Sequence, residues 1–422
     1  MSDLTFLEQF AEKYAWRQAP AKRRFRFRKR VNRGMEEEHR LALTLGGVID
    51  RALDDDEGLQ SSDYSTYQIF EADDLVFKLI DLENIRTSRV GYVPRRGIMS
   101  PAYIRLEPAS KQSNSRFYYW FFYGAYINNI FNGMGGGVRQ NLTPTDLLEF
   151  PIPLPDLDTQ KAIADFLDRE TARIDQLIEK KQRQASLLLT KERIMLMQSF
   201  NSLEAITWRI RHLGKLRNGS GFPIELQGDP TQELPFYKVK HLKTYGLDAT
   251  LIGDEDTVSR ETARTLHATI FPARTIVFAK IGAALLLGRF SMLGRTGCID
   301  NNMAAFVANE HLIDPDYALL ALSQIDMTTM VQPGTIPSLS TEAFYSYRIR
   351  LPTKDVQTTF VDTFRNHRAT IRCVVAAIEK SIQRLRELRV AIITAAINGQ
   401  IDVSTWNNKG HSERNLERIK GL

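Results

Sequence analysis

The chain has 422 residues, of which 43% are hydrophobic and 25% charged, and its net charge at pH 7 is +6 with a pI of about 9.1. This length is too great for one ordinary domain, so two or three domains are expected. The composition excludes a low-complexity chain and a disulfide scaffold, and the charge favours a polyanionic partner without requiring one.

The N-terminal sequence MSDLTFLEQF has acidic residues where a signal peptide would be basic, and no long apolar run follows it. The apolar stretch at 281–288 is too short to span a bilayer. The two cysteines, Cys298 and Cys373, form no CxxC motif. These features predict a soluble protein of the reducing cytoplasm.

The densest positive charge is KRRFRFRKRVNR at 22–33, in which Phe25 and Phe27 alternate with basic residues. Two interpretations are open. The segment is an arm on the phosphate backbone of a nucleic acid, which contributes affinity and salt dependence but reads no sequence. Alternatively, it is the edge of a sheet with one solvated basic face, or a disordered tail.

Two long helices are predicted, each behind a similar lead-in. LLEFPIPLPDLDTQ at 147–160 and FYSYRIRLPTKDVQ at 344–357 both contain a hydrophobic strand, Leu-Pro, and an acidic first helical turn that ends in Gln. Apolar residues then recur seven apart, which is typical of a coiled-coil seam. Asn398-Gly399 predicts the end of the second helix. The predicted seam residues are Leu167, Ile174, Ile178 and Leu188, and Phe364, Ile371, Ile378, Leu385 and Ile392.

The blocks in front of the helices also repeat. IFEADDLVFKLI at 69–80 aligns with IFPARTIVFAKI at 270–281, and GIMSPAYIRLE from Gly97 aligns with GCIDNNMAAFV from Gly297. QNLTPTDL and PSLSTEAF then precede the two lead-ins. Similar segments in the same order at a nearly constant offset indicate an internal repeat. Between them the copies differ, which favours two related but different readings of a ligand; drift after duplication is the alternative.

This pattern predicts an α+β fold of two mixed α/β globular domains separated by two long antiparallel coiled-coil helices, with a pseudo-twofold internal repeat. Helices of roughly 40 residues are about 60 Å long and would act as a spacer. Duplex DNA, whose grooves recur about every 34 Å, suits two contact surfaces at a fixed distance. The expected boundaries are 1–158 for an N-terminal arm and first domain, 159–200 for the central helix, 201–356 for the second domain, 357–400 for the distal helix and 401–422 for a tail.

A family resemblance begins at the first domain–helix junction. GGGVRQNLTPTDLLEFPIPLPDLDTQKAIADFLDRETARIDQLIEKK resembles the junction of a target-recognition domain and a conserved helix in the specificity subunit of type I restriction–modification systems. LALTLGGVIDR, DYSTYQIF, LVFKLIDLENIR and GIMSPAYIRLEP resemble one class of that domain, and AAINGQIDV at 395–403 resembles the end of the distal helix. The usual Glu-Gln opening of the helix is Thr159-Gln160 here and Val356-Gln357 in the second copy.

The resemblance implies that each target-recognition domain contacts one half of a bipartite, asymmetric double-stranded DNA sequence, and that the helices hold the domains apart. It also implies that the helices dock two adenine-N6 methyltransferase subunits, which use S-adenosylmethionine. A translocating restriction subunit, which uses ATP and Mg, would join them to cut unmodified DNA. For this chain the resemblance implies no catalysis and no bound cofactor.

Groove recognition favours Arg, Lys, Asn and Gln on loops. For each such residue, a phosphate contact or simple exposure is the alternative to base contact. The charged outer faces of the helices, including Arg169, Arg173, Lys180, Arg384 and Arg386, either bind partner subunits or are solvated. The candidate DNA-binding residues are Arg86, Arg89, Arg95, Arg96, Arg139, Gln140, Asn141, Tyr237, Lys240, Arg289 and Arg295.

Two rival functions belong to other classes. A catalytic DNA methyltransferase would need a cofactor glycine loop and an Asn-Pro-Pro-aromatic tetrapeptide, and the sequence has neither. It also has no G-x-x-x-x-G-K-S/T phosphate loop. Its histidines are scattered, with no His-x-x-x-His or paired Cys, so no metal site is expected. A coiled-coil scaffold or assembly protein without sequence-specific DNA binding would explain the helices but not the divergent loops on a shared frame.

Overall fold

The computed structural model describes residues 16–52, 63–79, 89–134, 141–243, 247, 249–253, 255–332 and 334–403. The chain divides into two compact units. The first unit contains Met1–Gln182 and Glu379–Leu422, and the second contains Arg183–Ile378. Each unit therefore has its own globular part and a portion of each long helix. Within the described residues, no helix is both long enough and apolar enough to cross a membrane.

The first unit has a sheet with the strand order β2-β9-β6-β7, in which all neighbours are antiparallel. The pairs β1–β10, β3–β4 and β5–β8 surround it. Its described strands are β1 (Gln18–Pro20), β2 (Phe25–Phe27), β3 (Leu41–Thr44), β4 (Gly47–Asp50), β5 (Gln68–Phe70), β6 (Leu75–Lys78), β7 (Arg89–Tyr92), β8 (Gly97–Met99), β9 (Ile104–Pro108) and β10 (Pro151–Pro153). Its helices are α1 (Ser115–Ile127), α2 (Pro144–Glu149) and the first part of α3 (Leu157–Ser202).

The core of the first unit is built from the aromatic residues of α1 against this sheet. The sequence of α1, SRFYYWFFYGAYI, is apolar on most faces, and Asn114 caps its N-terminus. Phe25 of β2 meets Tyr118 edge to face at 5.2 Å between ring centroids, and Phe77 of β6 meets Phe122 in the same way at 5.2 Å. These rings tie three elements of the unit into one core.

The second unit has a sheet with the order β12-β19-β16-β17-β14. Its strands in the described residues are β11 (Ile206–Arg209), β12 (Gly214–Asn218), β13 (Leu234–Tyr237), β14 (Thr250–Leu251), β15 (Thr257–Val258), β16 (Ile276–Ala279), β17 (Phe290–Leu293), β18 (Cys298–Ile299), β19 (Met303–Ala308), β20 (Val331–Gln332), β21 (Ser338–Leu339) and β22 (Arg348–Leu351). Its helices are α4 (Arg260–Thr265), α5 (Ala283–Leu286), α6 (Pro315–Leu322), α7 (Thr341–Ser346) and the first part of α8 (Lys354–Ile397).

The predicted internal repeat and the α+β fold are confirmed. The order β2-β9-β6-β7 recurs as β12-β19-β16-β17, again with antiparallel neighbours. The aligned segments at 69–80 and 270–281 supply β6 and β16, and those from Gly97 and Gly297 lead into β9 and β19. The first unit adds the hairpin β3–β4, and the second adds β14 parallel to β17. The shared frame thus carries different attachments.

A buried glutamine joins each long helix to the loop before a buried helix of its unit, α1 in the first and α6 in the second. In the first unit, Gln160 is fully buried. Its Oε1 accepts a hydrogen bond from the backbone N–H of Asn114 at 2.8 Å. Its Nε2 donates to the carbonyls of Gln112 at 3.1 Å and Pro155 at 2.8 Å. The amide therefore satisfies three backbone groups beside the core.

Gln357 does the same in the second unit. It is fully buried, its Oε1 accepts from the N–H of Asp314 at 2.7 Å, and its Nε2 donates to the carbonyls of Leu312 at 3.1 Å and Pro352 at 2.9 Å. The sequence comparison finds this glutamine at the end of both lead-ins. In the structure this glutamine does not cap its helix. It connects the start of the long helix to the loop before α1 or α6.

The heptad pattern predicts helices over 159–200 and 357–400, and the structure has them at Leu157–Ser202 and Lys354–Ile397. Gly399, two residues after the last residue of the distal helix, has a φ of 73°, which favours glycine. The N–H groups of Gly399 and Gln400 donate to the carbonyls of Ala396 at 3.2 Å and Ala395 at 2.9 Å. These two bonds form a Schellman motif, as the Asn-Gly pair predicts.

In the second unit the two helices run antiparallel, because Glu192 contacts Arg368 while Phe200, further along α3, contacts Phe360, which is earlier in α8. In the first unit, Arg389 of α8 donates to Asp175 of α3 at 3.0 Å. The buried seam residues are Leu167, Ile174, Phe364, Ile371, Ile378 and Ile392, and the half-buried ones are Ile178, Leu188 and Leu385.

Candidate nucleic-acid interface

Four of the candidate arginines occupy repeated positions in the two sheets. Arg89 begins β7, and Arg289 immediately precedes β17, the matching strand. Arg95 and Arg295 lie beyond the other ends of the same strands, before β8 and β18. Both pairs are 200 positions apart (289 − 89 and 295 − 95). Sequence reasoning places all four in divergent loops and misses this repetition, although the constant offset was available to reveal it.

Each sheet therefore presents its two arginines at opposite ends of one strand. Four residues of strand span roughly 13 Å, so the two side chains of a unit belong to separate groups. In the first unit Arg89 is half-buried and pairs in register with Lys78 of β6. The far end of β7 carries both Arg95 and Arg96, so most of the positive charge of this region lies there.

Carboxylates of the same domain surround these two arginines. Arg95 forms an ion pair with Asp50 of β4, with Nε 3.0 Å from Oδ1. Arg96 contacts three carboxylates, those of Glu36 at 2.9 Å, Glu37 at 2.8 Å and Glu71 at 3.3 Å. The hydrogen bonds to Glu36 and Glu37 raise the pKa of the Arg96 guanidinium. Both groups would have to exchange these partners in order to bind a base or a phosphate.

The matching arginines of the second unit have different surroundings. Arg295 is exposed and Arg289 half-buried, and neither makes an ion pair or a hydrogen bond with any residue that the structure describes. A guanidinium without a carboxylate partner can donate to guanine or to a phosphate at no cost in broken ion pairs. The two copies thus offer the same residue type in different electrostatic states.

The other two candidates of the second unit lie close to a small pocket. Lys240 is exposed, and its ammonium group is 3.1 Å from Glu255 and 3.7 Å from Asp256. Tyr237 is only 3% exposed, and its hydroxyl donates to the Leu251 carbonyl at 3.1 Å. It lines a pocket of about 280 Å³ together with Lys243. Because Tyr237 is almost completely buried, base contact by its side chain would have to be made in that pocket.

The remaining candidates follow the glycine-rich stretch of the first unit. Asn141 is exposed and lies two residues before Thr143, which caps α2. Arg86, Arg139 and Gln140 lie outside the described residues. The structure therefore places Asn141 near the start of a helix and adds no position for the other three.

The basic segment at 22–33 contains β2, which is the edge strand of its sheet. Phe25 is fully buried and Phe27 is 42% exposed, while Arg26, Arg28 and Lys29 are exposed and have no acidic partner among the described residues. The matching edge strand β12 exposes Lys215 and Arg217. The segment therefore lies at the edge of a sheet, as one of the two interpretations has it. Its exposed basic residues are accessible to phosphates.

The charged residues on the outer faces of the helices are exposed. Arg169 and Arg173 pair with Glu170 at 3.3 Å and 3.2 Å, while Lys180, Arg384 and Arg386 are also on the surface. Along α3 in the second unit, an apolar stripe is exposed at Leu187 (59%), Ile194 (44%) and Met197 (48%). Spacings of seven and three residues place this stripe on one helical face.

The described residues contain no group of three or more His, Cys, Asp or Glu side chains that could hold a metal ion. Burial raises the pKa of the Cys298 thiol to about 11, so this cysteine is a poor nucleophile at neutral pH. The arrangement consists of basic and amide side chains at the ends of two related sheets.

Comparisons with known proteins identify the domain. A family model described as "Type I restriction modification DNA specificity domain" matches residues 57–187 and again residues 207–384. The two matches cover well over half of the chain. A search of curated proteins found no match.

Solved structures also match. One from "Structural basis underlying complex assembly and conformational transition of the type I R-M system" has a TM-score of 0.71 and 13% identity, and covers 92% of this chain and 98% of that chain. The HsdS subunit from Thermoanaerobacter tengcongensis has a TM-score of 0.49 and 13% identity, and the match covers 92% of this chain and 97% of that chain. A type I S subunit from M. genitalium has a TM-score of 0.36 and 13% identity, and the match covers 91% of this chain and 96% of that chain. The first match, with a TM-score of 0.71, shows a shared fold. On the strength of the two family matches, the chain belongs to the type I restriction modification DNA specificity family and carries its domain twice.

Proposed function

We propose that the chain is the DNA specificity subunit of a type I restriction–modification complex and that each domain reads one half of a bipartite, asymmetric double-stranded DNA site. The observation that carries this proposal is the presence of the specificity domain twice, at 57–187 and 207–384. The alternative of a coiled-coil scaffold without sequence-specific DNA binding is not favoured, because both globular parts belong to that domain.

Base reading in this proposal falls to the ends of β7 and β17. Arg89 and Arg95, with Arg289 and Arg295, stand at matching positions, so both domains approach DNA with the same part of the frame. Arginine can contact guanine O6 and N7 with two hydrogen bonds. The carboxylates around Arg95 and Arg96 distinguish the first domain from the second, which supports two different half-sites.

The long helices would set the gap between the half-sites and dock the partners. The exposed stripe of Leu187, Ile194 and Met197 suits a partner helix, because an apolar face of this kind is normally covered. The partners would be two adenine-N6 methyltransferase subunits carrying S-adenosylmethionine, joined by a restriction subunit that uses ATP and Mg. The chain itself would act in the cytoplasm without catalysis and without a cofactor of its own.

The proposal is tested by single-molecule sequencing of DNA from cells that co-express the chain with the methyltransferase encoded beside it. We expect methyladenine in a split motif with a fixed gap. Cells with the methyltransferase alone are the control and should lack this methylation. A stable complex that neither methylates nor binds DNA would refute the proposal. DNA binding without methylation would mean that the paired methyltransferase is inactive.

A further inference from the structure

A polar pocket of about 500 Å³ opens in the first unit where α1 begins. Its wall includes the loop that follows β9, with Lys111 and Ser113, and the first helical residue, Ser115. Asp73 and Tyr92 also line it. Tyr92 is the last residue of β7, but neither Arg89 nor Arg95, at which we place base reading, lines the pocket.

Several hydrogen-bond donors at this pocket lack an acceptor. Ser115 is only 6% exposed, and its hydroxyl makes no hydrogen bond with the residues that the structure describes. The Oγ of Ser113 is buried and has no partner there either. The N–H groups of Ser115 and Arg116 belong to the first turn and cannot bond within the helix. Asn114 caps the next N–H, that of Phe117, at 2.9 Å.

The charged groups around the pocket leave one cation free. Arg116 is held by Asp168, with Nε 2.8 Å and 2.9 Å from its two carboxylate oxygens. Asp73 accepts a hydrogen bond from the Tyr92 hydroxyl at 2.6 Å. Lys111 is exposed and has no acidic partner among the described residues. Lys111 and Arg116 therefore balance Asp73 and Asp168 in charge, and the unpaired donors of the pocket lie at the positive end of the dipole of a thirteen-residue helix.

The second unit shows what this position requires. Asp314 corresponds to Asn114, because both donate their N–H to a buried connector glutamine. Its carboxylate accepts from the N–H groups of Asp316 at 2.8 Å and Tyr317 at 3.2 Å, and Pro315 at the first helical position has no N–H. The start of α6 thus carries two carboxylates of its own. The start of α1 has Asn, Ser and Arg at the corresponding positions, so it lacks the two carboxylates that α6 has there.

We propose that this pocket binds a phosphate-class oxyanion at the start of α1. Helix N-termini bind such anions through free N–H groups and the helix dipole, and here two serine hydroxyls and a lysine add to them. The source is either a phosphate of the DNA backbone or a free phosphate ion. The site itself does not depend on the specificity function proposed above.

The first test uses thermal unfolding of the full chain with inorganic phosphate against sodium chloride at equal ionic strength. Phosphate should raise the Tm of the wild type beyond the effect of chloride, because a ligand of the folded state stabilises it. Ser115→Asp should abolish this rise, since it puts a carboxylate at the first helical position, where it repels the anion and competes with it for the free N–H groups. Ser186→Asp, at an exposed position of α3, adds the same charge and should keep the rise.

Lys111→Gln is a second variant that removes an exposed charge and leaves folding intact; it should weaken the phosphate response several-fold. Equal phosphate responses in the wild type and Ser115→Asp would overturn the proposal. The second test measures the salt dependence of DNA binding by the complex with its methyltransferase. If the anion is a DNA phosphate, Ser115→Asp should reduce the slope by about 1 relative to Ser186→Asp.

An unchanged slope together with a phosphate response that Ser115→Asp abolishes would identify a free phosphate as the source. A reduced slope without a response to inorganic phosphate would identify the DNA backbone. If phosphate acts no more strongly than chloride and the two Asp variants have the same slope, the pocket binds no anion. Failure of DNA binding by the wild-type complex would count against the specificity function, and the phosphate response would still decide the pocket.

Discussion

The two domains place arginine at the same points of the same sheet but give it different neighbours. Arg95 is bound by Asp50, which comes from the hairpin that the first unit adds to the shared frame. Arg295 makes no ion pair with the described residues. An arginine held by a carboxylate loses that contact when it binds DNA, whereas an unpaired one does not. The repeated frame therefore fixes position, and the added elements fix the chemistry at that position.

The ion pairs between the two long helices also have different surroundings in the two units. In the second unit, Arg368 and Glu192 meet at 2.5 Å with side chains 3% and 2% exposed. In the first unit, Arg389 and Asp175 meet at 3.0 Å with side chains 22% and 53% exposed. A buried charge that loses its partner has no water to replace it, while an exposed one is solvated. Similar ion pairs should thus contribute very differently to stability.

The largest effect is expected from exchanging a whole domain. Replacing residues 206–350 by the corresponding block of another specificity subunit should change one half of the methylated motif completely and leave the other half and the gap unchanged. The reason is that both long helices, with Gln160 and Gln357, lie outside the exchanged block, and Gln357 contacts only backbone groups within it. Sequencing of methylated DNA measures the outcome. A change in both halves would contradict the assignment of one domain to one half-site.

The ion pairs of the helices should differ in chemical denaturation. Glu192→Ala removes a buried charge-assisted contact of Arg368 and should lower the free energy of unfolding by about 1.5–3 kcal/mol. Asp175→Ala is the matched control and should cost less than about 1 kcal/mol, because that pair is partly exposed. Equal losses in the two variants would show that burial does not distinguish these pairs.

The connector glutamines should behave alike in both units. Gln160→Ala and Gln357→Ala each leave three backbone groups without their partner, and each should cost at least about 2 kcal/mol. Gln160→Glu and Gln357→Glu keep the size and an acceptor; the ionised acid has no donor for the two carbonyls and the protonated acid keeps one, so each variant should cost more when the acid is charged. Two alanine variants that differ by more than about 1 kcal/mol would show that the connectors are not equivalent.

The sequence predicts the repeat and the helices well because both rest on local signals. Heptad spacing, the Leu-Pro lead-ins and Asn398-Gly399 depend on residues close together in the chain. The pairing of arginines does not: Arg95 meets Asp50 and Arg368 meets Glu192 across long separations, and no sequence period marks the partners. The burial of Tyr237 likewise depends on neighbouring strands. Candidate residues could be named from type and loop position, but their electrostatic state required the fold.

The smallest effect expected is at single arginines. Arg295→Ala should weaken DNA binding by the methyltransferase complex by on the order of 1–2 kcal/mol, roughly 5- to 30-fold, and should relax specificity in one half-site. Arg95→Ala should cost less, because Arg95 must give up Asp50 before it contacts DNA. Asp50→Ala, which releases Arg95, should strengthen binding and steepen its salt dependence. Arg95→Ala could instead weaken binding more than Arg295→Ala. Asp50 would then orient the Arg95 guanidinium toward DNA rather than neutralise it. The Asp50→Ala variant would then bind more weakly than the wild type.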